Sequence, residues 1–369
     1  MKPKIALIKQ EIYQDLYVCP SDEKDVANIL FSSQGRVGPI GLMAELGADF
    51  YIIKEEYNRE TQIYKKVIPH IAKHLHLLKT QTLDKIPGQE FKQPGSTHAN
   101  GEFAINCNQI DWGTYDIVIS INITLPTYLV AQYPNTLFCY MIGEANMASS
   151  SAHFGYDLSL NQMARGIVSN KLGSAIDFPY TFLKGNTLQL LMKQVLNRPS
   201  LNQGIFMEIN STTERPVTKA PEHFQPLVDI GQTINLHQQN IKNNLQSIYD
   251  SKYFVKWGGR TIRGNSVAEA ISLGTLVIMN RDEVIHKELI IDECNVKSMQ
   301  DIVTLILDLE QDKDKYEILL EKQQKALTHY FFDCPLNSLI SCAEEKKAGK
   351  YCKYNWFKRI IDYFYFIKF

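Results

Sequence analysis

Between residues 253 and 280 the chain reads YFVKWGGRTIRGNSVAEAISLGTLVIMN, and the residues with chemistry to offer crowd into one short part of it. Gly258, Gly259 and Gly264 lie among the cations Lys256, Arg260 and Arg263, directly before a stretch where Val267, Ala270 and Ile271 recur at helical spacing. Glycines let backbone approach a ligand, fixed cations neutralise an anion, and the unpaired N–H groups at a helix start favour a phosphate. Asn265 or Ser266 is expected to cap that helix and Gly274 to end it. Glu269 is expected in the first turn, where its carboxylate can accept hydrogen bonds from ribose or sugar hydroxyls. The unit is therefore read as strand, loop, helix, strand, an arrangement suited to a nucleoside diphosphate. A ligand-free repeat of the same shape, its arginines a solvated rim, is the plain alternative.

Such a loop needs a sheet behind it, and the rest of the chain supplies the pattern. Residues 4–9, 49–53, 115–123 and 137–142 read as buried strands, as do 205–210 and 276–279, with helical stretches between them. That alternation implies parallel, doubly wound α/β sheets, whose ligands sit beyond the carboxyl ends of the strands. With 369 residues, 44% of them hydrophobic, two domains are expected, joined near residues 197–204 around Pro199. The expected division is 1–200, an acceptor domain; 201–340, a donor domain; and a tail, 341–369. Residues 61–78 are read as an amphipathic helix interrupted at Pro69, with His70 and His74 on one face. Residues 185–196, 240–249, 298–310 and 313–330 are read as further helices.

The formal net charge of −1 argues against a general nucleic-acid binder, so any basic function must be local. Seven cysteines with no CxxC pair and no zinc-type spacing suit a reducing compartment, so a cytoplasmic protein with no cofactor and no bound metal is expected. No run is apolar enough to span a bilayer. The last residues, KKAGKYCKYNWFKRIIDYFYFIKF, mix cations with aromatic rings. That mixture suits either a helix lying on the inner face of an anionic membrane or one packed back on the first domain.

The segment SVAEAISLGTLVI, Ser266 through Ile278, resembles the donor half of GT-B glycosyltransferases, in which a basic loop precedes a helix of the form x-x-E-A-x-x-x-G-x-x-V-I. The resemblance implies two Rossmann-like doubly wound domains facing a cleft, and metal-independent transfer of a hexose from a nucleotide-sugar. It makes Glu269 the ribose or sugar ligand and Arg263, with Lys256, phosphate ligands. Gly259, Arg260, Asn265 and Ser266 complete the expected donor site, and Arg215 joins them by analogy of fold. The second glutamate usual in this segment is replaced by Thr261 or its neighbours. Arg36, in the glycine-rich run QGRVGPIG, is the acceptor candidate. Glu144, His153 and Asp157 are the candidate bases for an inverting transfer, each with an ordinary capping or loop role as its alternative. The expected acceptor is a glycan or lipid-linked glycan of a bacterial surface polysaccharide or lipopolysaccharide. A non-catalytic nucleotide- or sugar-binding module, or a nucleotide-sugar epimerase on the same fold, is the alternative.

Overall fold

A computed structural model describes residues 2–10, 39–53, 73–78, 110–121, 132–142, 156–162, 175–178, 182–208, 222–236, 241–259, 261–262 and 264–349. They fall into two compact units, one holding described residues up to 178 together with 334–349, the other 182–333.

In the first unit the chain runs through β1 (Ile5–Gln10), α1 (Pro39–Leu46), β2 (Asp49–Ile53), β3 (Leu75–Leu78), β4 (Ile117–Ile121), β5 (Leu137–Ile142), β6 (Leu158–Gln162) and β7 (Ala175–Phe178). The strands form one sheet in the order β3-β2-β1-β4-β5-β6-β7, every pairing parallel. The order reverses between β1 and β4, the mark of a doubly wound sheet. Ile5 to Ile8 are all buried, as are Ile117 to Ile119, because strands covered on both faces read as continuous apolar runs.

The second unit contains α2 (Thr187–Leu196), β8 (Ile205–Met207), α3 (Gln225–Asp229), β9 (Ile234–Leu236), α4 (Ile241–Asp250), β10 (Tyr253–Lys256), α5 (Asn265–Ser272), β11 (Leu276–Met279), α6 (Met299–Gln311) and α7 (Lys313–Thr328). Its sheet is parallel in the order β11-β10-β8-β9, with the reversal between β8 and β10. The core beneath it joins Tyr253, Val255, Leu276 and Ile278 to Ile302, Ile306 and Leu319, each buried aliphatic or aromatic chain contributing about 1.5–3 kcal/mol. β11 is an edge strand, and the fully buried Gln323 of α7 satisfies it. The Gln323 side chain accepts from Val277 N at 2.9 Å and donates to Val277 O at 2.7 Å. Two doubly wound units in one chain are the architecture that the sequence pattern implies.

Three expectations are corrected. Residues 75–78 form strand β3 rather than the end of a helix, paired in parallel register with β2. The units divide near residue 181 rather than near 200, because α2 packs on α4 and α5 and Leu188 N donates to Ser272 Oγ at 3.1 Å. The last described helix, α8 (Cys334–Lys347), belongs to the first unit, where it packs on β5 and β7. The tail beyond residue 349 lies outside the described residues. No helix among the described residues is long and apolar enough to cross a membrane.

The histidines of the expected helix serve the amino-terminal edge of the first sheet. Asp49, opening β2, accepts hydrogen bonds from His74 Nδ1 at 3.1 Å, His76 Nε2 at 3.0 Å and Tyr115 Oη at 2.6 Å. Tyr51 stacks on His76 and shares a 2.7 Å hydrogen bond with Tyr115. Burial alone would raise the Asp49 carboxyl, but the hydrogen bonds from His76, Tyr115 and His74 outweigh it and hold the group at about 2, against an ordinary 3.8. A carboxyl lowered on folding stabilises the protein above its unfolded value and loses that contribution as pH falls through its folded value. Asp49→Asn is therefore expected to cost no more than about 2 kcal/mol near neutrality, the partial exposure of the side chain trimming the figure. The gap between parent and variant should close between pH 4 and pH 2. Urea unfolding across that window checks this, and a gap that stays constant would remove Asp49 as its source.

Candidate functional site

The site forms where the second sheet reverses. In a doubly wound sheet ligands sit beyond the carboxyl ends of the strands at such a reversal, which here lies between β8 and β10. The loop after β10 is the glycine and cation run, and it leads straight into α5.

Its shape is set by Glu283, which the sequence alone does not single out. Lys256, the last residue of β10, is fully buried, and its Nζ donates to Glu283 Oε2 at 2.8 Å and to Gly258 O at 2.7 Å. Glu283 Oε1 in turn accepts from Gly258 N at 3.0 Å. The ammonium expected to meet phosphate is thus neutralised inside the protein, and its role is to hold the loop. Gly258 and Gly259 follow with φ of +73° and +78°, two successive left-handed residues that only glycine adopts without strain. Further along, Ile262 N donates to Glu283 O and Ile285 N to Ile262 O, both at 2.9 Å, so backbone knits the loop to residues 283–285.

α5 begins differently from expectation. Its N-cap is Gly264, at φ +107°, a residue with no side chain to cap it. Asn265 and Ser266 are instead the first two helical residues, so neither caps the helix and their backbone N–H groups belong to its first turn. A side chain at position 264 would be strained by the positive φ and crowded, since a Cβ there would lie 3.0 Å from Val284 Cγ2 and 3.2 Å from His286 Cδ2. Starting the helix at 265 also moves Glu269 to its fifth residue, in the second turn rather than the first, with the residue only 4% exposed. The far end is as expected. α5 stops at Ser272, and Gly274 takes a φ of +85° before β11.

A first turn with glycine at its N-cap, behind a loop stiffened by a buried ion pair, presents the partial positive charge of the helix dipole at the switch point of the sheet. That arrangement suits an anion such as a diphosphate. His286 stands beside it, 4% exposed, its ring edge-on to Phe331 at 4.9 Å between centroids. Burial lowers its pKa, the negative charge of Glu288 acting the other way, so the imidazole is neutral at pH 7.

Of the candidate bases, Asp157 is described, and its surroundings argue against a catalytic role. It immediately precedes β6, at the amino-terminal edge of the parallel sheet and so at the edge opposite the ligand crevice. Its Oδ2 accepts from Phe138 N at 2.8 Å and is paired with Lys346 Nζ of α8. It caps no helix, because a strand follows. Glu144, His153, Arg215, Arg260, Arg263 and Arg36 lie outside the described residues. Among the described residues no group of three or more His, Cys, Asp or Glu side chains is arranged to hold a metal.

No family model matches the chain, and no curated protein matches it. Solved structures do. Over 94% of its length the chain is similar to all of a sucrose-phosphate synthase from Thermosynechococcus elongatus, at 10% identity and a TM-score of 0.40. Over 92% it is similar to 98% of the Anabaena protein HepE in complex with UDP and glucose, at 10% identity and a TM-score of 0.43. Over 93% it is similar to 99% of an alpha-glucosyltransferase in complex with UDP-glucose and DNA containing an abasic site, at 8% identity and a TM-score of 0.44.

Proposed function

We propose that the chain is a GT-B glycosyltransferase that moves a sugar from a nucleoside-diphosphate sugar to an acceptor hydroxyl. The observation that carries this reading is the start of α5 at a glycine N-cap behind the Lys256–Glu283 loop, at the reversal point of the second sheet. When the glycosidic bond to the donor breaks, negative charge gathers on the leaving diphosphate. The N–H groups of Asn265 and Ser266 would receive that charge where it develops, with Arg260 and Arg263 contributed by the same loop. Glu269 would accept hydroxyls of the ribose or sugar. The acceptor proton would pass to a base such as Glu144 or His153 if the reaction inverts. Transfer without a metal is part of the proposal, with Arg260, Arg263 and the helix N–H groups taking the charge that a metal would otherwise neutralise.

A glycan or lipid-linked acceptor of a surface polysaccharide, met at the inner face of a membrane, is supported by the basic and aromatic composition of the tail. Thermal-shift measurements with UDP-, GDP-, TDP- and CMP-linked sugars, with and without EDTA, test the donor. One donor is expected to raise the melting temperature in either condition, by the equivalent of about 2.7 kcal/mol at a hundredfold excess over Kd. With that donor, Glu269→Gln should lower transfer to glycan acceptors at least tenfold, about 1.4 kcal/mol in the barrier, at an unchanged melting temperature. Silence across the panel would overturn the reading. A response that EDTA abolishes would overturn its metal-free part, and binding without transfer to any acceptor would leave a binding module.

A further inference from the structure

We propose that the amino-terminal edge of the second sheet carries a binding site of its own, apart from the donor crevice, and that its ligand is an uncharged carbohydrate. The inference goes beyond the donor reading and stands without it. Its basis is a cleft of about 450 Å³, inside the range of roughly 300–1,000 Å³ usual for small-molecule sites. One wall is the chain entering three neighbouring strands, with Gln203 and Gly204 before β8, Gln232 and Thr233 before β9, and Lys252 before β10. The other wall is the corner between α6 and α7, where Glu310 ends one helix and Lys313, Tyr316 and Glu317 begin the next. The start of α5 follows the carboxyl end of β10, so the cleft and the donor crevice lie at opposite edges of one sheet.

The two walls are tied together at the base. Glu310 Oε1 accepts from Lys252 Nζ at 3.0 Å and from Tyr253 Oη at 2.8 Å, and Tyr316 Oη donates to Lys252 O at 3.1 Å. The Lys252 ammonium also lies 5.3 Å from the centre of the Tyr253 ring and 5.0 Å from that of Tyr316, close enough for both rings to attract it. On the strand side Ile205 N donates to Thr233 O at 2.8 Å, and Gly204 takes a φ of +71°. A Cβ at residue 204 would come within 2.6 Å of Thr233 O, so only glycine lets these two turns close on each other. The cleft is thus held by contacts between the strand turns and the helices, and not by the exposed side chains at its rim.

Charge and polarity of the lining select the ligand. Its cations are Lys252 and Lys313 and its carboxylates Glu310 and Glu317, so the charges cancel and an anion gains little. Lys252, the better buried cation, is already paired with Glu310. No aliphatic side chain lines the cleft, and the Tyr316 ring is buried beneath the Lys252 ammonium, so an apolar ligand has nothing to cover. What remains are the amides of Gln203 and Gln232, the Thr233 hydroxyl, the Glu317 carboxylate and the Lys313 ammonium. Donors and acceptors therefore alternate around one concave surface. Adjacent sugar hydroxyls, each both donor and acceptor, answer that pattern group for group.

Saturation-transfer NMR and calorimetric titration of the full chain test the site. The probes are maltose, lactose and N-acetylglucosamine, with glucose 6-phosphate and glucuronate as charged counterparts and UDP as the probe of the donor crevice. Two variants remove cleft groups, Glu317→Ala and the pair Gln203→Ala with Gln232→Ala. At least one neutral sugar is expected to bind the parent and to bind each variant at least fivefold more weakly, with melting temperatures close to the parent and UDP affinity within twofold. If the glutamine pair lowers the melting temperature, Glu317→Ala, at an exposed position of α7, decides alone. Binding of none of the three neutral sugars would overturn the proposal. So would sugar binding that both variants leave unchanged, because the sugar would then sit elsewhere. Tighter binding of the phosphorylated or acidic sugar, lost in the same variants, would overturn the assignment to an uncharged ligand. A parent that binds a neutral sugar in the cleft but no UDP bears against the donor reading alone.

Discussion

Replacing Lys256 with methionine is expected to lower stability by about 3 to 5 kcal/mol and to abolish donor binding. The ammonium is fully buried and has two acceptors, Glu283 Oε2 and Gly258 O, so truncating it strands both. Glu283 is itself only 18% exposed, and an unpaired carboxylate in that position is the main cost. Lys256→Met combined with Glu283→Leu should recover most of the loss, since an ion pair replaced by apolar groups of similar volume is often neutral. Donor affinity should not return in the double variant. Gly258 N would still lack the Glu283 Oε1 acceptor that sets the turn, and a loop free to rearrange no longer presents the start of α5 in one geometry. Urea unfolding and nucleotide titration of the two single variants and the double one form the cycle. A Lys256→Met protein within 1 kcal/mol of the parent would show that the pair is not what holds the loop.

Lys346→Met is expected to cost about 3 kcal/mol and to release helix α8 from the first unit. Lys346 is 4% exposed in its side chain and Asp157 12%, so the pair sits largely out of water, and the ammonium also lies 5.5 Å from the centre of the Phe138 ring. Without the lysine, Asp157 keeps Phe138 N as donor but loses its countercharge. The neighbouring Lys347–Asp116 pair is more exposed and would contribute under about 1 kcal/mol, so it cannot hold the helix alone. Asp157→Asn should cost less than Lys346→Met, because an amide oxygen can still accept from Phe138 N. Limited proteolysis reads the helix directly, with new cleavage expected between residues 334 and 347. A variant that unfolds like the parent and resists cleavage would show that the Lys346–Asp157 pair is not what holds α8.

What the amino-acid sequence determined by itself is what short-range spacing encodes. Strands such as Ile5–Gln10, Asp49–Ile53 and Leu276–Met279, and helices such as Thr187–Leu196 and Met299–Gln311, were legible because a buried strand needs an apolar run and an amphipathic helix needs a period of 3.6. The glycine loop between β10 and α5 was legible for a related reason, since glycine before a helix answers a backbone demand that a few neighbouring residues impose. Errors arose where local patterns compete. Leu75–Leu78 is four residues long, too short for its period to separate strand from helix, and pairing with β2 decides the matter. Asn265 and Ser266 both have side chains suited to capping a helix, yet the helix takes Gly264 as its N-cap and so carries Glu269 into the second turn.

Only the tertiary structure decided how charges are paired. Lys256 and Glu283 are 27 residues apart and Lys346 and Asp157 are 189 apart, and no local pattern links such positions. Which cation faces a ligand and which is neutralised inside, and which carboxylate is free to act as a base and which anchors a helix, depends on the path of the chain between them. His286 lies even further from recognition, since its closeness to the start of α5 follows from backbone bonds joining residue 262 to residues 283 and 285. Electrostatic energies vary with distance and burial, and both are properties of the fold rather than of spacing along the chain.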